Sequence, residues 1–341
     1  MRYVNRSLVA EALAKGSAAL GLINAGFRRL NGTVTCFLFH RISADPKMGV
    51  TLPVFTRIVD HIHRSFFVVS LDEAVEYLTR GGPRQRYAVI TFDDGYLDNY
   101  TLALPVLQRY AVPATLFVCT GFIETGYSNW DALDAALLSC QDKVLDLRAY
   151  GLGMYPFEGL DQRKEVLARL HGLLKMMPHE AMVKVVGNLG EGMPPGHPRT
   201  MMNWQELANF ASAPGMTIGA HTLTHPNLTR LPQHVMRGEI QQSKEILSER
   251  LGTAVRHFAY PSGLSSELVE REAQGAGFVS ACSVEDGFNV PGCNLFSLRR
   301  RCIIQDACEG NDGAYSDMMF SFFASGVRQR ISKILHSSKV S

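Results

Sequence analysis

The chain has 341 residues, 46% of them apolar, with 34 Lys plus Arg against 32 Asp plus Glu and a formal charge of +2. At ~150 residues per domain this length suits roughly two units or one α/β barrel, and the composition excludes wholesale disorder. The balanced overall charge argues against an extended nucleic-acid footprint, which needs a clustered basic excess.

Residues 1–32 read as an N-terminal helical segment. Its sequence, MRYVNRSLVAEALAKGSAALGLINAG, is interrupted by Glu11, Lys15 and Asn24. It therefore lacks both a secretory apolar core and the ~18 uninterrupted apolar residues of a spanning helix. With Phe27, Arg28 and Arg29 behind it, the segment has two readings: an ordinary docked helix, or a basic amphipathic helix giving peripheral contact with a membrane. The seven cysteines, Cys36, Cys119, Cys140, Cys282, Cys293, Cys302 and Cys308, form an odd set without a CxxC pair. Such a set fits neither a disulfide framework nor a structural zinc site and points to reduced thiols. The expected location is cytoplasmic or peripheral on the inner membrane, with the periplasm left open.

From Thr33 onward, short apolar runs alternate with helical patterns. TVTCFLFH (33–40), FFVVS (66–70), YAVITF (87–92), ATLFVC (114–119), MTIGAH (216–221) and VRHFAY (255–260) read as buried strands. Between two of them, Leu71 to Arg80 reads as a helix that starts at an Ser70 N-cap with Glu73 three residues on and stops at Gly81-Gly82-Pro83. This alternation means a parallel sheet with crossover helices, and an α/β barrel over 33–310 is the expected fold. Residues 124–200 interrupt it with helix-prone sequence and read as an inserted helical subdomain, the usual position of a lid or substrate wall. Residues 311–341 read as a C-terminal helix. Nothing in the sequence specifies an oligomeric state.

Three motifs fall where strands end. In Thr91-Phe92-Asp93-Asp94-Gly95, adjacent carboxylates point in different directions, so one can bind a cation while its neighbour handles a proton. In His221-Thr222-Leu223-Thr224-His225-Pro226, two histidines four positions apart would share one face of a helical turn, and Asp94 would complete a two-His, one-carboxylate metal site. In Phe258-Ala259-Tyr260-Pro261-Ser262-Gly263, a turn at Ser262 would set a backbone N–H beside the metal, where an oxyanion could be held.

TFDDG, HTLTHP and FAYPSG together resemble the ordered motifs of the polysaccharide deacetylases, the carbohydrate esterases with a NodB-type homology domain, over Thr33 to about Ile304. The resemblance implies an irregular barrel of β/α units with fewer than eight strands. It implies Asp93 as catalytic base and one divalent ion on Asp94, His221 and His225, zinc first, with cobalt or nickel as alternatives. Two departures stand out. Many members carry a base-supporting Arg where this chain has Ala259, and Arg299, Arg300 or Arg301 could supply that charge instead. The late Leu-His pair is also missing, since His336 lies far past the last strand. His40, in Phe39-His40-Arg41-Ile42, matches the early aromatic-His motif that carries the acid in the branch acting on poly-N-acetylglucosamine.

The implied activity is metal-dependent removal of acetyl groups from an N-acetylated glycan or a lipid-linked precursor sugar. Trp204 and Tyr260 are candidates for stacking on sugar rings or are ordinary core aromatics. The other histidines, His61, His63, His171, His179, His197, His234 and His257, read as structural or solvated. Two rival readings are a non-catalytic carbohydrate-binding descendant and an O-acetyl esterase or cyclic-amide hydrolase using the same ion and base.

Overall fold

The computed structural model describes residues 2–46, 48–139, 143–174, 176–191 and 198–337; Cys140 and His197 lie outside them. Helices α1 (Arg2–Ala19) and α2 (Leu22–Arg29) precede β1 (Thr33–Phe39). Then come α3 (Leu52–Ser65), β2 (Phe67–Val68), α4 (Leu71–Arg80), β3 (Arg86–Phe92), α5 (Leu104–Arg109), β4 (Ala114–Val118) and α6 (Thr120–Thr125). An excursion follows, made of α7 (Asn129–Ser139), β5 (Val144–Asp146), β6 (Met154–Pro156), α8 (Gly159–Leu174) and α9 (His179–Glu191). The chain returns through α10 (Trp204–Ser212), β7 (Met216–Ala220), α11 (Gln233–Leu251), β8 (His257–Ala259), α12 (Glu267–Gly275), β9 (Ser280–Cys282), β10 (Arg300–Cys302), α13 (Asp317–Ala324) and α14 (Val327–Ser337).

Seven parallel strands run in the order β10-β1-β3-β4-β7-β8-β9, with β2 added beside β3. The row nearly closes into a barrel. Leu298 N donates to Ala281 O at 2.9 Å and Ser283 N to Leu298 O at 2.8 Å, tying the last strand of the row to the lead-in of β10. Period-two alternation divides the strand residues between two cores. Outward, Phe39, Phe92 and Phe55 of α3 form an aromatic cluster with ring centroids 5.2–5.9 Å apart. Inward, Val34, Cys36, Val89, Phe117, Ala259, Cys282 and Leu298 fill the barrel. Short apolar runs buried on both faces are what such strands require.

Local signals explain several boundaries. Ser70 caps α4 in a reciprocal box: its hydroxyl accepts from Glu73 N at 3.2 Å and its own N–H donates to Glu73 Oε2 at 2.8 Å. The run Phe66 to Ser70 forms only a two-residue strand, because its neighbour β3 offers it just Tyr87 and Ala88. The excursion is not purely helical. An antiparallel hairpin, β5 with β6, pairs Leu145 with Tyr155 inside it. Strands of three residues around Gly151 and Gly153 are too short to leave a periodic signature. The excursion has its own core of Leu133, Leu147, Tyr155, Leu170, Leu174, Met182, Val185 and Val186. The C-terminal segment forms two helices, broken at Gly326, whose φ of 75° is left-handed.

Gly219 on β7 shows how tightly the interior is filled. A Cβ there would lie 2.4 Å from a Phe117 ring carbon and 3.0 Å from the His257 carbonyl oxygen. Gly219→Ala should therefore destabilise the protein by about 1–3 kcal/mol, read as a lower chemical-denaturation midpoint. An unchanged midpoint would show that the barrel interior has slack.

Candidate metal and acid–base site

Strand register brings the motif residues to one mouth of the barrel. Phe39 pairs with Phe92 and Val118 with Ala220, so His40, Asp93, Cys119 and His221 follow at nearly one level. The backbone bends sharply there. Of the five described non-glycine residues with positive φ, four lie in the motifs: Asp94 (77°), Thr222 (71°), His225 (60°) and Ser262 (57°). Conformations of this kind cost on the order of 1 kcal/mol or more and persist where the surroundings over-determine them, typically at binding sites.

Asp94, His221 and His225 converge, with one potential ligand atom from each lying within 4.8 Å of the others. Asp94 Oδ1 is 3.5 Å from His221 Nε2 and 3.6 Å from His225 Nε2. His221 Nδ1 donates to the Ala259 carbonyl at 2.8 Å, which leaves Nε2 as the free lone pair. The segment between the histidines is a loop and not the helical turn expected from their spacing. Left-handed Thr222 and His225 re-aim the second ring, which stacks on Phe122 at 5.8 Å. Glu239 holds this loop, its carboxylate accepting from Leu223 N, Thr224 N and Thr224 Oγ1 at 2.9, 3.0 and 2.6 Å. Burial pushes both imidazoles down to about 4, so they are neutral at ordinary pH. Two neutral nitrogens and one carboxylate oxygen suit a borderline divalent ion such as zinc.

Asp93 points elsewhere. Its carboxylate takes a two-pronged contact from Arg300, Nη1 to Oδ1 and Nη2 to Oδ2, both at 2.7 Å. Arg300 is fully buried; its Nε donates to Ser283 O at 2.8 Å and its guanidinium lies over the Phe117 ring at 5.5 Å. Burial would raise the Asp93 pKa, but the guanidinium, His221 and His40 together lower it to about 2. The structure thus singles out Arg300 among the three candidate arginines. Arg299 pairs with Glu285 at 2.9 Å, and Arg301 lies between the Phe288 and Phe323 rings with Asp286 at 3.4 Å. Ala259 is buried in the interior cluster with Phe117, and the cation reaches Asp93 from β10, beyond β9 from Ala259 around the nearly closed barrel.

His40 stands at the mouth, open to solvent. The surrounding protein mass would lower its pKa, but a hydrogen bond with Cys302 and the carboxylates of Asp94 and Asp93 raise it to about 9. Its backbone is pinned, since Asn99 Nδ2 donates to His40 O at 2.8 Å. The next residue, Arg41, reaches Asp98 at 3.1 Å and Asp131 of α7 at 3.5 Å. Asp131 also accepts from Ser128 Oγ at 2.8 Å and Thr200 Oγ1 at 2.9 Å, at the two ends of the excursion. The excursion therefore braces the loop that carries His40.

The remaining candidates separate. Ser262 is exposed in its left-handed turn. Tyr260 is fully buried, with its hydroxyl donating to Phe296 O at 2.8 Å, so it offers no face to a sugar. Trp204 is half-buried, donates to Glu124 Oε1 at 2.8 Å and lies under Arg250. Of the histidines read as structural, His61 bonds Asp317, His171 bonds Asp134 and His257 bonds Ser280. His179 differs: its Nε2 donates to Thr224 Oγ1 at 2.7 Å, so the excursion touches the loop between His221 and His225. Neither His179, Glu239 nor Cys302 carried a motif, and only the fold brings them here.

Comparison with known proteins identifies the family and the fold. The sequence profile described as polysaccharide deacetylase matches residues 80–153 and 156–281. The Bacillus subtilis (strain 168) protein YxkH, whose name assigns it to the polysaccharide deacetylases, is 20% identical over 284 residues, 83% of this chain and 75% of that one. IcaB from Ammonifex degensii shares the fold with a TM-score of 0.57 at 17% identity, covering 86% of this chain and 97% of its own. The Streptococcus pyogenes deacetylase PplD, solved with acetate, gives 0.55 at 16% identity, covering 83% and 96%. The chain belongs to the polysaccharide deacetylase family.

Proposed function

We propose that the chain removes acetyl groups from N-acetylated amino sugars, in a glycan or a lipid-linked precursor, with one divalent ion held by Asp94, His221 and His225. Zinc suits the donor set best, with cobalt and nickel as alternatives. The observation that carries this reading is the separation of the two adjacent carboxylates: Asp94 converges with the histidines while Asp93 is held by Arg300. A bound ion would supply the positive charge that polarises the acetyl carbonyl and acidifies a water.

This chain's residues supply the rest. Asp93, ionised at ordinary pH and aimed by the Arg300 fork, takes the proton of the attacking water. A pKa near 2 makes it a weak base but an always-available one. The turn at Ser262 offers a backbone N–H to the developing oxyanion. An amine anion leaves very poorly, so the nitrogen must gain a proton as the C–N bond breaks. His40, protonated below about pH 9, donates it. Acetate and a free amino sugar depart. An O-acetyl ester would use the same base but depend less on His40, which is how the two readings are told apart.

Acetate release from N-acetylglucosamine oligomers, with added zinc or cobalt, tests the activity directly; no release from oligomers or from lipid-linked and nucleotide sugars would contradict it. Asp94→Ala and His221→Ala should lose the ion, whereas Asp93→Asn should retain one per chain and turn over at least ~10²-fold more slowly. Stoichiometric metal in both ligand variants would overturn the ligand assignment. His40→Ala should keep its ion and lose ~10² to 10⁴-fold on the amide but far less on a phenolic acetyl ester. Equal losses on both substrates would remove His40 from the acid's role.

Proton competition for the ion follows the lowered histidine pKa values. For a ligand histidine at its ordinary 6.5, proton competition would already weaken the affinity for the ion below that pH. With both held down to about 4, metal content on equilibrium dialysis should stay constant from pH 8 to about 5.5 and fall as pH 4 is approached. Release centred near pH 6.5 would contradict the burial of these rings.

A further inference from the structure

The net charge of +2 conceals a segregation. Residues 1–31 and 326–341 carry nine basic and one acidic side chains, whereas residues 32–325 carry 25 basic and 31 acidic. The fold gathers the described helices of these segments on one side, with α1 packed on α2 and α13, and α14 packed on α13 and α2. The approach is close: a Cβ on Gly26 of α2 would lie 2.8 Å from the Ser325 carbonyl oxygen and 2.9 Å from the Val327 side chain.

Within this bundle the described part of α1 from Val9 onward has apolar residues on both sides. Ala14 and Ser17 are buried and Leu13 packs against the core. The opposite side presents Val9, Ala12, Gly16 and Ala19, a stripe at helical spacing, followed by Leu20. Val9 is 57% exposed and Leu20 is 76% exposed. The one exposed charge along this described stretch, Lys15, is paired with Glu11 at 2.6 Å. A helix on a protein surface normally turns a charged face to water, and nothing described lies within 4 Å of a Cβ on Gly16. Just beyond the turn, exposed Leu22 shares one side of α2 with Arg29, seven residues on; Arg28 and Arg330 of α14 are exposed as well. No described helix is long and apolar enough to cross a membrane.

We propose that α1, α2 and α14 form a docking face for an anionic lipid bilayer, with the outward stripe of α1 and Leu20 and Leu22 entering the headgroup region and Arg28, Arg29 and Arg330 meeting lipid phosphates. Both halves of the pattern need this occupant. A polyanion in solution would match the arginines but not the apolar stripe. A second copy of the chain would match the stripe but bring the same basic segments against it. The inference is independent of the chemistry at Asp93 and places the barrel at a surface where a lipid-linked sugar would be presented.

Co-sedimentation of the full chain with vesicles tests it, using phosphatidylcholine alone and phosphatidylcholine with 30% phosphatidylglycerol. Binding is expected to the anionic vesicles only, with release in 0.5 M NaCl. Arg28→Glu with Arg29→Glu should lower partitioning at least about 30-fold. Leu20→Asp with Leu22→Asp should lower it comparably, with circular dichroism unchanged. Arg271→Glu, on distant α12, should leave it as it was. Equal binding to neutral vesicles, no binding to anionic ones at low salt, or an equal loss in the Arg271 variant would overturn the proposal. So would a wild-type dimer that the leucine variant dissociates, since the stripe would then belong to a second copy.

Discussion

Much of this structure depends on one buried ion pair, Arg300 with Asp93. Both side chains are almost fully removed from water, and a charge in that position is tolerable only when its partner meets it with good geometry. The two 2.7 Å contacts supply that geometry, and Ser283 O and the Phe117 ring satisfy the rest of the guanidinium. Breaking such a pair from one side typically costs about 3–5 kcal/mol, because it strands the other charge. The pair therefore fixes more than a carboxylate. It ties β10, the strand that completes the barrel, to the end of β3, and it requires the small interior residues, Ala259 and Gly219, that make room for Phe117 beside it.

The same pair makes two consecutive aspartates unlike. Strand alternation turns their side chains apart, and the left-handed backbone at Asp94 completes the separation. Asp93 is lowered to about 2 by its cation, while burial and the neighbouring Asp93 and Asp131 charges raise Asp94 against the pull of His40 and His221. A carboxylate raised in this way is poised for a cation, which would relieve its desolvation. Around this centre the excursion acts as a brace. Asp131 fixes the Arg41 side of the His40 loop, and His179 fixes Thr224 between the two histidines.

The barrel was legible in the sequence because its strands are short, uninterrupted apolar runs, and the motif residues were legible because they sit directly after them. The hairpin β5–β6 was not, since three residues show no period. The spacing of His221 and His225 suggests a helical turn where the fold has a loop, because spacing alone cannot register two left-handed residues. Arg300 could be narrowed only to one of three consecutive arginines. Alternation predicts that Arg300 differs in direction from Arg299 and Arg301, but which side faces Asp93 depends on the register of β10 against β1, Cys36 with Arg300. Tyr260 lies within a motif yet is core, because its hydroxyl finds a backbone partner inside. His179, Glu239 and Cys302 come from distant segments, and only tertiary packing brings them to the motifs.

In the proposed chemistry Arg300 serves the base and not the ion. Arg300→Lys keeps the charge but loses the two-pronged contact, so metal content and kcat for acetate release from an N-acetylglucosamine oligomer, measured on one preparation, separate the two roles. One divalent ion per chain is expected, as in the wild type, with kcat reduced at least ~10²-fold as Asp93 loses its orientation. Full metal with an undiminished kcat, or loss of the ion together with activity, would contradict it.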